Sequence, residues 1–64
     1  MNNMTVLLAE GNPHVYLVDM WYRYATRFGA FTENIKEAIG FETEESAVAF
    51  AKSRGWGVYY AYVG

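Results

Sequence analysis

Apolar residues first gather at Met4-Thr5-Val6-Leu7-Leu8-Ala9, a short run that predicts a strand over 4–9. Gly11-Asn12-Pro13 follows as turn punctuation. Residues 14–25 then alternate: Tyr16, Val18, Met20, Tyr22 and Tyr24 make one uncharged face, and Val15, Leu17, Asp19, Trp21 and Arg23 make the other. The same residues also fit a helix capped by Asn12, opened by Pro13 and stopped by Gly29, with Leu17, Met20, Trp21, Tyr24 and Phe28 along one side. Periodicity does not separate these two readings, and the richness in Val, Tyr and Trp favours the strand. Ile35, Ile39 and Phe41 share a period-two face and predict a strand over 35–42.

The helix signal comes late in the chain. Thr43 suits an N-cap, Glu44 and Glu45 suit the positive end of the dipole, and Lys52 and Arg54 suit the negative end. Ala47, Val48, Phe50 and Ala51 form an apolar stripe, and Gly55 suits a left-handed stop. This predicts a helix over 44–54. Trp56 to Val63 is aromatic and β-branched and predicts a last strand. The expected fold is α+β, a single domain over 1–64. An antiparallel sheet of three to four strands carries the 44–54 helix on one face. A right-handed return lays the last strand parallel to 35–42 or beside the first strand.

Composition explains how so short a chain can fold. At 64 residues it has no cysteine for a disulfide and one histidine, His14, as a nitrogen ligand for a metal. Its 53% hydrophobic and 19% aromatic content must supply a dense core, or a partner chain must complete it. That composition excludes disorder. No apolar run reaches the roughly 20 residues that span a bilayer. The opening residues lack the basic segment of a secretory signal, so the expected location is the cytoplasm.

Seven acids against five bases give a net charge of -2, which argues against a phosphate-backbone binder. Stacking of single-stranded nucleic acid on an aromatic sheet would need a basic groove, which Arg23, Arg27, Lys36, Lys52 and Arg54 are too few to make. His14 lacks the Ser, Cys or Asp spacing of a nucleophilic site and reads as a solvated turn residue. No catalytic residue, metal or cofactor is therefore expected.

Two groups of residues stand out as candidates for binding a partner. Glu33, Glu37, Glu42, Glu44 and Glu45 fall in one short stretch. Helix capping explains the last two, and the first three could face a basic groove. Trp21, flanked by Asp19 and Arg23, is the other. If the uncharged tyrosine face takes the helix, then Val15, Leu17 and Trp21 are left on the open side, and Trp, Tyr and Arg are the residues enriched at hot spots. Tyr60 and Tyr62 share one face of the last strand, and Tyr59 lies on the other. The expected partner-binding set is thus Asp19, Trp21, Arg23, Glu33, Glu37, Glu42, Tyr60 and Tyr62.

The stretch Phe41-Glu42-Thr43-Glu44-Glu45-Ser46-Ala47-Val48-Ala49-Phe50-Ala51-Lys52-Ser53-Arg54-Gly55-Trp56 is similar to a strand-helix-strand phrase in an accessory subunit of respiratory complex I. With the hairpin before it, the stretch also resembles the layout of WGR domains. Trp21-Tyr22-Arg23 stands in place of the Trp-Gly-Arg signature, so the DNA-binding role of those domains is not carried over. In size, charge and lack of catalytic motifs, the whole chain resembles small inhibitors of phages and mobile elements of the anti-CRISPR type. That likeness implies a non-catalytic module that sterically blocks a nucleic-acid-binding surface of a host defence complex, without touching nucleic acid or membrane itself. The alternative expectation is a small homodimeric structural or accessory subunit that assembles through its aromatic sheet face.

Overall fold

The computed structural model describes residues 3–8, 11 and 13–61. Strand β1 runs Asn3–Leu8, β2 Val15–Val18, β3 Tyr24–Ala25, β4 Phe31–Thr32 and β5 Gly57–Tyr60. Helix α1 spans Glu44–Ser53. The sheet order is β4-β3-β2-β1-β5. The first four strands form an antiparallel meander, and β5 lies parallel to β1 with Val6 opposite Tyr60. The fold is therefore α+β as expected, but among the described residues the sheet has five strands and is mixed. The parallel pair follows from the return through α1, which brings β5 back in the direction of β1.

Helix α1 forms where its capping residues predict it. The Thr43 hydroxyl accepts from the Ser46 amide at 3.2 Å. At the other end, Gly55 donates to Lys52 and Trp56 to Ala51 around the positive φ of Gly55. That is the Schellman arrangement, and glycine takes its left-handed position without a steric penalty. Ala47 and Ala51 are fully buried against Met4, Val6, Val15 and Leu17. Phe31, Phe41, Phe50 and Trp56 close the rim, with neighbouring ring centroids 5.4 to 6.1 Å apart.

Three expectations are corrected here. Residues 14–25 are neither one strand nor a helix. They are a hairpin, β2 and β3, broken at Asp19, whose carboxylate takes up the Trp21 and Arg23 amides that a continuous strand would direct to a neighbour. Residues 35–42 are not a strand. Ile35–Glu37 is a 3-10 turn, because Asn34 caps the Lys36 amide at 3.0 Å, and only Phe41 pairs with the sheet, as an isolated bridge to Val15.

The faces of the sheet are also reversed. Val15 and Leu17 lie under α1, while Tyr16 and Val18 lie on the far side in line with Leu7 and Thr5. Compact aliphatic side chains fit beneath a helix that approaches on alanines. Tyr16 packs edge-on to Tyr24 on that far face, with ring centroids 5.6 Å apart. The expected assembly face of Val15, Leu17 and Trp21 is thus not formed. Ala9, Asn12 and Tyr62, which the expected elements include, lie outside the described residues.

Candidate functional site at a hairpin tip

The β2–β3 connection is a three-residue loop, Met20-Trp21-Tyr22. The Asp19 amide donates to the Arg23 carbonyl at 2.8 Å, and the Tyr22 amide donates to the Asp19 carbonyl at 3.0 Å. Inside the turn sits the Asp19 carboxylate, in a residue only 8% exposed. Oδ1 accepts from the amides of Trp21 and Arg23, each at 3.0 Å. Oδ2 accepts from Arg23 Nε at 3.2 Å and from a terminal guanidinium nitrogen of Arg23 at 2.9 Å. The guanidinium also lies 5.3 Å from the centre of the Phe31 ring, which ties the hairpin to β4. Four accepted hydrogen bonds satisfy the buried carboxylate and lock the loop.

What the locked loop presents is apolar. Met20 is 77% exposed, Trp21 68% and Tyr22 87%. Hairpin tips are ordinarily polar, with Gly, Asn or Asp supplying the turn geometry. The next hairpin in the same chain supplies the comparison. In the β3–β4 loop, Thr26 donates to Ala30 and Gly29 donates to Thr26, the same bonding pattern, and the left-handed position is Gly29 with φ 81°. In the β2–β3 loop that position is Tyr22, with φ 62°. A bulky residue there is strained, and the strain persists because Asp19 over-determines the turn. Replacing Tyr22 with glycine is expected to stabilise the fold by about 0.5–1 kcal/mol, since an exposed ring loses little packing and the turn loses its steric cost. Thermal denaturation would show it as a melting point raised by a few degrees.

The structure distributes the other candidates unevenly. Glu33 shares a hollow with Trp21 and Arg23. Glu37 accepts from the Thr32 hydroxyl at 2.8 Å and lines a different hollow with Arg27 and Lys36. Glu42 is exposed just ahead of the Thr43 cap. Tyr60 lies on the helix side, in a groove with Glu44, Glu45 and Lys52. Glu33 and Glu37 thus line separate hollows, and of these two Glu33 stands beside the tip. Asp19 and Arg23 bond to each other and act as the frame beneath the contact residues. Met20 and Tyr22 were missed as site residues because strand alternation assigned them to a buried face. The Asp at 19 followed by an Arg four residues on is the signal that could have marked the turn.

Among the described residues, no group of three or more His, Asp or Glu is placed to hold a metal ion. His14 is exposed, with its ring 6.4 Å from that of Tyr16. No helix among the described residues is long and apolar enough to cross a membrane. Comparison with protein-family models, with curated proteins and with solved structures finds no match.

Proposed function

We propose that this chain is a non-catalytic protein-binding module whose anchor is the β2–β3 tip. In its most specific form it is an inhibitor of the anti-CRISPR type, carried by a phage or mobile element. It would act in the host cytoplasm by covering a nucleic-acid-binding surface of a host defence complex. The observation that supports this reading is the run of three exposed apolar side chains on a turn held by the buried Asp19 carboxylate, one of them in strained backbone. Rigid aromatic anchors lose little side-chain entropy on binding, and Trp and Tyr dominate interface hot spots. Glu33 beside the tip and the chain's net charge of -2 suit a basic target surface, where they would speed association more than tighten it.

The test is affinity capture from nuclease-treated host lysate with two baits, the native chain and a Met20→Ser, Trp21→Ser, Tyr22→Ser variant. The native bait should retain one stoichiometric partner, released by that partner's own DNA or RNA and weakened by salt or by Glu33→Lys. Equal capture by both baits would remove the tip from the function. A partner indifferent to nucleic acid would remove the inhibitor reading and leave the binding module.

A further inference from the structure

The sheet has a second unfinished boundary, far from the tip. Among the described residues, strand β5 is an edge strand. Ala61, just beyond it, donates to the Val6 carbonyl of β1. Backbone groups alternate sides along a strand, so the residues in step with Ala61, Gly57 and Tyr59, spend their amides and carbonyls on β1. Val58 and Tyr60 turn theirs outward. Soluble proteins ordinarily protect such an edge with lysine, proline, a bulge or a covering helix. None of these is present in β5, Gly-Val-Tyr-Tyr, and residues 55–64 carry no charged side chain.

We propose that β5 pairs antiparallel with β5 of a second copy of this chain, about a two-fold axis at Tyr59. Val58 then lies opposite Tyr60 of the other copy, and each such pair exchanges two backbone hydrogen bonds. All four outward-facing amides and carbonyls in each copy's pair of residues are used. The Tyr59 side chains, each 61% exposed in the single chain, meet directly across the axis on the open face. This is the closer, non-hydrogen-bonded position, where aromatic pairs are favourable.

The helix side of the same boundary is self-complementary in charge. Glu44, Glu45, Val48, Ala49 and Lys52 form one stripe of α1 along the groove that holds Tyr60. The acids are at its start and the lysine near its end. The two-fold axis stands perpendicular to the sheet, so both helices lie on one face and run in opposite directions. Lys52 of each copy therefore meets Glu44 and Glu45 of the other. Helix α1 packs over β1, β2 and β5. Its axis and that of its copy would be about three strand spacings apart, roughly 14 Å. Two Tyr60 rings fill that gap, and Lys and Glu side chains span it. An isologous interface requires this kind of reversal, in which each patch matches itself turned around.

The test is sedimentation equilibrium of the full chain over a micromolar to millimolar range. A monomer–dimer equilibrium is expected. Tyr60→Pro removes one outward amide that no described residue accepts from, a position where edge strands tolerate proline. It should leave a folded monomer by circular dichroism. Lys52→Glu should weaken the dimer roughly tenfold, and adding Glu45→Lys to it should restore the affinity. Trp21→Ala should leave the dimer unchanged, so failure here is distinct from failure of the tip to bind a partner. A monomer at every concentration, a dimer untouched by Tyr60→Pro, or charge reversals without effect would each overturn the proposal.

Discussion

Asp19→Ala is expected to destabilise the fold by about 2–4 kcal/mol, and with it to lower the melting temperature by at least about 10 °C. Most of this comes from the backbone. The Trp21 and Arg23 amides lose their shared acceptor inside a tight turn, and the Arg23 side chain loses both of its bonds to the carboxylate. The ion pair by itself contributes less, because the Arg23 side chain is 39% exposed and solvent screens it. Asp19→Asn separates the two contributions. An amide oxygen still accepts from both backbone amides while the charge is gone, so that variant should lose only about 1 kcal/mol. For a domain of this size the alanine loss is a large part of the total, which is roughly 3–10 kcal/mol. Denaturant unfolding of the two variants beside the native chain checks the ordering. Equal losses would mean that the charge, and not the turn, holds Asp19 in place.

Trp21→Ala is expected to act in the opposite way, with little effect on folding and a large one on partner binding. The ring is 68% exposed and contributes little to the core, so the melting point should move by no more than a degree or two. Binding to the partner should fall by about 2–4 kcal/mol, a loss of roughly thirty- to a thousand-fold carried mainly by faster dissociation. Surface plasmon resonance of the captured complex reads this directly. Tyr22→Gly makes a matched control, since it should weaken binding while stabilising the free chain. An exposed tip residue that costs stability is what the trade between function and stability produces. If Trp21→Ala left the complex intact, the exposed tip would have no part in recognition.

How legible these features were in the sequence follows from how local their causes are. Helix α1 was readable nearly to the residue, because its cap, its charge order, its alanine stripe and its Gly55 stop all lie within a dozen positions. Strand β1 was readable from its run of apolar residues. The choice of Trp21, Asp19 and Arg23 as candidates came from residue type and spacing, and the structure brings the three together at one turn. Their division of labour was not readable. On a continuous strand Asp19 and Trp21 would share a face. In the turn the carboxylate is drawn inward by four donors while the indole is left outside.

The amino-acid sequence by itself determined the class of fold, the position of the helix and the first and last strands of the chain, β1 and β5. Each is set by propensity, periodicity and capping among near neighbours. Only the tertiary structure decided which sheet face meets the helix, where residues 14–25 break, and that 35–42 closes the sheet with a turn and one bridge. A period-two pattern defines two faces without saying which is covered. The answer came from shape: Ala47 and Ala51 let the backbone of α1 come close over Met4, Val6, Val15 and Leu17. Tyr16, Tyr24 and Tyr59 were left on the face away from the helix, with the apolar tip and the β5 edge at the margins of the sheet.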